Sequence, residues 1–151
     1  MRLESLTLKN FRCYRDEVTV NFGDLTTFVG KNDIGKSTVL EALEIFFNNE
    51  TVKIEQGDSN VYNQDETKVS ITCEFSDLPS TLSLDAGAST TLADEYLLTT
   101  SGTLKIRKVF ECRQKTPSLE IFILALHPTA PGVDDLLELK EKDLQARIKA
   151  K

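Results

Sequence analysis

The sequence predicts an α/β protein in which a mixed sheet, one helix entered through a glycine-bounded turn, and an antiparallel meander follow one another along 151 residues. Two observations predict it. The first is Gly30-Lys31-Asn32-Asp33-Ile34-Gly35-Lys36-Ser37, which fits G-x-x-x-x-G-K-[ST]. It lies between a strand-like run at residues 25–29 and a helical run at residues 37–48. The second is the alternation of apolar and polar residues in further segments bounded by turn-forming residues.

Residues 1–11 hold Leu3, Leu6 and Leu8 with polar residues between them, a first strand. Residues 12–17 are polar and turn-like. Val18, Val20 and Phe22 alternate with Thr19 and Asn21, so a second strand returns beside the first. Gly23-Asp24 then turns the chain into residues 25–29 (Leu-Thr-Thr-Phe-Val), read as a short buried strand. The following helix places Val39, Leu40, Leu43, Phe46 and Phe47 on one apolar face and ends at Asn48-Asn49, a residue type that tolerates left-handed geometry. Residues 51–67 read as an irregular polar surface segment. Val69, Ile71, Cys73 and Phe75 share one strand face, Leu104, Ile106 and Phe110 another, and residues 119–126 are almost continuously apolar. Together they predict an antiparallel meander. Between them, residues 76–102 are rich in Ser and Thr and read as an excursion with a short helix near residues 92–98. Residues 134–151 carry a helical pattern on Leu136, Leu137, Leu139, Leu144 and Ile148. No glycine or proline closes it, which reads as truncation of something longer. The organisation expected is thus residues 1–50 (strands, loop and helix), 51–126 (meander) and 127–151 (terminal helical segment).

Bulk composition fits one globular domain or part of one: 40% hydrophobic and 28% charged residues. No apolar run approaches the ~20 residues that cross a bilayer, and no signal peptide opens the chain, so no membrane partner is expected. Cys13, Cys73 and Cys112 are scattered without metal-ligand spacing and read as reduced, mostly buried thiols of a cytoplasmic protein. A net charge of −6 argues against a nucleic-acid clamp in this chain alone. Lys9, Arg12 and Arg15 nevertheless sit close enough for a local basic patch.

The glycine-bounded turn carries the chemistry. Backbone N–H groups of such a turn and of a helix N-terminus converge on an anion, and the helix dipole adds a favourable field. Gly30 and Gly35 allow close approach of the backbone to phosphates. Lys36 would reach the β- and γ-phosphates, and the Ser37 hydroxyl would ligate Mg²⁺. Gly30, Lys31, Asn32, Asp33, Ile34, Gly35, Lys36, Ser37 and Thr38 are therefore the candidate ATP-binding residues, with Ser37 the metal ligand. The plainer alternative is a glycine-punctuated turn that happens to precede an amphipathic helix.

Residues 3–12 (Leu-Glu-Ser-Leu-Thr-Leu-Lys-Asn-Phe-Arg), the returning strand and residues 27–37 together resemble the N-terminus of ABC-type ATPases of the SMC/RecF group, most of all the OLD-type, AAA-annotated ATPases. The positions that carry the likeness are Asn10, Phe11, Arg12 and Asn32. It is specific to about residue 47 and architectural from there to residue 126. The resemblance implies a P-loop NTPase fold, the N-terminal lobe of an ABC-type ATPase head. It also implies that Arg12 approaches the nucleotide, against the alternative of a solvated arginine at a strand end. Where many relatives have Gly-Ser or Gly-Ala, this chain has Asp33-Ile34, and Asp tolerates positive φ.

Two elements of that group are missing: four apolar residues followed by Asp-Glu, and a Leu-Ser-Gly-Gly signature. Residues 121–126 are followed by His127-Pro128, and Thr100-Ser101-Gly102-Thr103 reads as a hairpin turn. No catalytic residue is therefore assigned. Gln145 is the candidate for the group's Mg²⁺-sensing glutamine, although an exposed helical glutamine is the favoured reading; His127 reads as a turn residue. The resemblance further implies a partner in the C-terminal half of the same head, a homodimer, DNA as a partner of the full protein, and DNA repair, DNA processing or phage defence as its setting. In OLD-type members a C-terminal nuclease would follow. The competing readings are a self-sufficient small P-loop kinase or GTPase and a non-catalytic nucleotide-binding or regulatory module. The first of these lacks the guanine-specific Asn-Lys-x-Asp segment and a second-strand Asp.

Overall fold

A computed structural model describes residues 1–31, 35–63, 65–85, 88–127, 130–131, 135–136 and 139–149. Five strands build the main sheet: β1 (Arg2–Lys9), β2 (Val18–Asn21), β3 (Lys68–Ser76), then β6 (Leu104–Glu111) and β7 (Ser118–Ile123), in the order β2-β1-β3-β6-β7. Every pairing in it is antiparallel. The parallel component of the expected mixed sheet is thus not formed by the described strands. Between β3 and β6 a two-stranded hairpin, β4 (Leu82–Asp85) and β5 (Ala88–Thr90), stands as a separate sheet.

The alternation read from the sequence sets the register. Cys73 lies opposite Leu6 on one side and Ile106 on the other, and Ile71 lies opposite Leu8 and Lys108. Leu6, Leu8, Val69, Ile71, Cys73, Phe75 and Phe110 thereby form one apolar face, buried against the helix α1 (Lys36–Phe46). The reverse face is polar: Thr7 meets Thr19 at 2.8 Å, Arg107 donates to Thr72, and Lys105 pairs with Glu74 at 3.3 Å. A Thr99–Thr103 turn closes the loop before β6, with Gly102 at φ +73° as such a turn requires.

Several expectations need correction. Residues 25–29 form no strand; Leu25 and Val29 are 88% and 87% exposed, and of this run Phe28 packs on the core. Both sides of β1 are already paired, and a turn closed by Gly23 N–H on Thr26 Oγ1 directs the chain away from β2. The buried stripe of α1 is Val39, Ala42, Ile45 and Phe46, while Leu40 and Phe47 are more than half exposed. The apolar set read from the sequence is two stripes about a quarter turn apart, and this sheet covers one of them. Residues 92–96 make turns instead of a short helix. The terminal helix α2 is shorter than expected, Glu141–Lys149, with Leu137 outside the described residues.

Lys108 is the polar exception on the apolar face. It is 5% exposed, and its Nζ donates to Phe46 O at 2.7 Å and Asn48 Oδ1 at 2.8 Å while lying over the Phe46 ring. A cation at the C-terminal end of α1 satisfies a terminal carbonyl and meets the negative end of the helix dipole. Burial holds its pKa below the ordinary lysine value. Lys108→Met is expected to lower stability by about 1–3 kcal/mol, because the buried Phe46 carbonyl and the part-buried Asn48 amide oxygen lose their donor. Urea unfolding should show this as a lower midpoint with an unchanged slope.

The buried thiols supply a pH dependence. Burial pushes Cys73 up to about 12 and Cys112 up to about 11, from an ordinary value of 9.0. The folded state then keeps protons that the unfolded chain has released, so stability falls as pH rises from about 9 towards 12. Below about pH 9 both states are protonated and this dependence vanishes. Urea midpoints measured from pH 7 to 10.5 should fall above pH 9, and less steeply in Cys73→Val.

Candidate nucleotide-binding site

The turn that follows β1 builds the site. Phe11 and Tyr14 exchange backbone hydrogen bonds at 2.8 Å in both directions, closing a tight turn over Arg12 and Cys13. Asn10 and Arg12 take left-handed backbone angles, φ +55° and +49°, which local contacts must support. Asn10 is fully buried. Its Nδ2 donates to Glu66 O at 2.6 Å and Lys68 O at 3.1 Å, and its Oδ1 accepts from Asn63 Nδ2 at 3.2 Å. Its backbone carbonyl accepts from Asn60 N–H. Asn60, Asn63, Glu66 and Lys68 are thus moored to the end of β1 by one side chain and one peptide.

Arg12 is also fixed by partners. Its Nε donates to Asp58 Oδ1 at 2.7 Å, its other guanidinium arm pairs with Glu41 of α1, and its backbone N–H donates to Asp58 O at 2.7 Å. Asp58 is 8% exposed and closes the 3-10 turn Gln56–Asp58 by accepting from Glu55 N–H. Arg12 is therefore a paired residue linking β1, α1 and residues 55–58, and not the solvated arginine of the plainer reading. The expected basic patch is largely neutralised as well. Lys9 pairs with Glu66 at 3.2 Å, which holds the Glu66 carboxyl below its usual range.

The same turn abuts the candidate loop. Tyr14 Oη donates to Gly35 O at 3.2 Å, and Cys13 Sγ lies 3.9 Å from Thr38 Oγ1. A Cβ on Gly35 would sit 2.8 Å from both Cys13 Sγ and Tyr14 Oη. With φ at +89°, Gly35 is a position where a side chain would be both strained and obstructed. Gly35 is the N-cap of α1 and supplies no side-chain cap, and the first turn of the helix contains no acidic residue. Among the described residues, the N–H groups at this end thus have neither a capping side chain at the N-cap nor a carboxylate in the first turn of their own helix, which suits an anion. Lys36 Nζ donates to Gly30 O at 2.8 Å and to Lys31 O, so its side chain reaches from the end of the loop back to its start. Ser37 is exposed, and Thr38 is half-buried. Asn32, Asp33 and Ile34 lie outside the described residues.

Gln145 lies on an exposed position of α2. His127 is exposed beyond the end of β7. Among the described residues no group of three or more His, Cys, Asp and Glu could hold a metal ion. No helix among them is long and apolar enough to cross a membrane. The sequence reading missed Tyr14, Glu41, Asp58, Asn60 and Asn63. Asn10-Phe11-Arg12 was legible only as a family marker, and the polar run at residues 51–67 gives no periodic signal of what it meets.

Removing the buried Asn10 side chain strips a donor from two part-buried carbonyls, Glu66 O and Lys68 O, and an acceptor from Asn63. Asn10→Ala should therefore cost about 3 kcal/mol, with faster proteolytic cleavage within residues 55–66. A loss under about 1 kcal/mol in chemical denaturation would contradict this account of the turn.

A family model described as an AAA ATPase domain matches residues 1–151. Uncharacterized protein MJECL44 of Methanocaldococcus jannaschii is 41% identical over 46 residues, which are 30% of this chain and 14% of that protein. The SMC head domain from Thermotoga maritima is similar at a TM-score of 0.49 and 16% identity, covering 97% of this chain and 42% of that one. The chain thus spans well under half the length of both.

Proposed function

The chain belongs to the AAA ATPase domain family, an ATPase-type nucleotide-binding module, and on that premise we propose that it is the ATP-binding N-terminal lobe of a larger ATPase. The single observation that carries this reading is the loop itself: left-handed Gly35 at an uncapped helix start, with the Lys36 ammonium across the mouth. Gly30, Lys31, Gly35, Lys36, Ser37 and Thr38 would cradle the phosphates, together with Asn32, Asp33 and Ile34. Mg²⁺, held by Ser37 and phosphate oxygens, would neutralise charge on the phosphates. Arg12, held by Asp58 and Glu41, supports the turn beneath the loop.

Hydrolysis needs groups this chain does not supply, namely a carboxylate pair and a signature segment. We assign both to the C-terminal half of the same head and to a second copy in a homodimer. Exposed Leu40 and Phe47 on α1, and Leu25 and Val29 before the loop, favour this over a self-sufficient kinase or GTPase. A helix with two apolar stripes is a helix made to lie between two layers. Action on DNA, in repair, processing or antiviral defence, rests on the resemblance of residues 3–37 to SMC/RecF/OLD-type ATPases.

Lys36→Ala removes the ammonium that donates to Gly30 O and Lys31 O while leaving core residues untouched. Calorimetric titration with Mg²⁺·ATP should show affinity falling at least about tenfold, with the unfolding midpoint preserved. Unchanged affinity would refute the binding role. Binding of inorganic phosphate as tight as that of ATP would instead favour a module that recognises only the anion.

A further inference from the structure

We propose that Tyr14 is a positioning residue for the phosphate-binding loop, fixing the Gly35 peptide so that the Lys36 backbone N–H is aimed at bound phosphate. The inference rests on the nucleotide-binding reading above and adds to it a residue outside the motif. Gly35 is the point of least intrinsic restraint in the loop, since glycine visits positive and negative φ with similar ease. Its φ of +89° must therefore be imposed from outside. The neighbours that impose it come from the β1–β2 turn. Tyr14 Oη and Cζ and Cys13 Sγ lie within 3.0 Å of where a Gly35 Cβ would be, so the ring and the thiol occupy that whole side of the residue.

The hydroxyl adds direction to this contact. The Gly35 carbonyl accepts two donors, Tyr14 Oη and Val39 N–H, each at 3.2 Å. The second is the first hydrogen bond of α1 and draws the carbonyl along the helix axis. Tyr14 holds the same oxygen from the sheet side. A trans peptide is planar, with its C=O and N–H pointing in opposite directions. Fixing the Gly35 oxygen towards the helix therefore turns the Lys36 N–H outward, into the loop mouth that the Lys36 ammonium also spans. Preorganising a donor in this way removes an ordering cost from ligand binding. Burial, and next the neighbouring Cys13, raise the Tyr14 pKa, so the phenol stays a protonated donor at neutral pH.

Tyr14→Phe keeps the ring and removes only the hydroxyl. In the full-length protein, calorimetric titrations with Mg²⁺·ATP and with inorganic pyrophosphate, made well below the unfolding midpoint, read the affinity of the folded form. Wild type is expected to bind and Lys36→Ala to lose binding. Tyr14→Phe is expected to bind both probes about fivefold to tenfold more weakly, the size of one lost hydrogen bond. A role confined to folding would lower the ligand-free midpoint and leave both dissociation constants unchanged, and that result overturns the inference alone. Wild type that binds neither probe, or Lys36→Ala that binds as well as wild type, overturns the nucleotide reading and this inference with it.

Discussion

The tight turn between β1 and β2 joins parts of the chain that are far apart in sequence. Asn10 faces residues 60–68, Arg12 reaches Asp58 and Glu41, and Tyr14 presses on Gly35, so one short segment meets the meander, the helix and the loop. The geometry is costly on its own terms, because Asn10 and Arg12 both sit at positive φ. It persists because each left-handed residue is fixed by several hydrogen bonds to buried or half-buried partners. Were the turn to relax, α1 would lose its Arg12 tether and Gly35 its lateral support together.

The helix that starts at the loop is anchored at both ends by different means. At its C-terminal end Lys108 satisfies Phe46 O and Asn48 Oδ1 from inside the core. At its N-terminal end the N-cap Gly35 supplies no side-chain cap, and the neighbouring Lys36 ammonium turns to loop carbonyls. This asymmetry leaves the positive end of the dipole available while the negative end is neutralised. A helix held by packing and a buried cation at one end can keep N–H groups free at the other, where the proposed nucleotide would use them.

Period and motif were legible in the sequence; partnership was not. Alternation placed Val69, Ile71, Cys73 and Phe75 on one face, and the strands they predict are present. The helix after Gly35 was equally clear. The same rule failed at residues 25–29, which form no strand, because a largely apolar run says nothing about which edge is free to receive it. It misplaced Leu40 and Phe47 because spacing alone does not separate one broad apolar face from two narrow ones. The supports of the site were hidden for another reason. Asp58, Asn60 and Asn63 lie in a polar, aperiodic segment, and they matter through contacts across more than 40 positions with Asn10 and Arg12.

A chain of net charge −6 can still favour an anion at one place, because the relevant quantity is the local field and not the sum. The two carboxylates of the Arg12 network, Glu41 and Asp58, both face that guanidinium. Glu66, further along, is engaged by Lys9 and Asn63. The first turn of α1 carries no acidic residue, and its N–H groups and the Lys36 ammonium lie at the loop mouth. Fixed pairing of nearby acids thus lessens their opposition to an anion at the loop. The Arg12 pairings accordingly do two things at once: they tie the turn to α1, and they offset one of the two negative charges of Glu41 and Asp58 beside the loop proposed to bind phosphate.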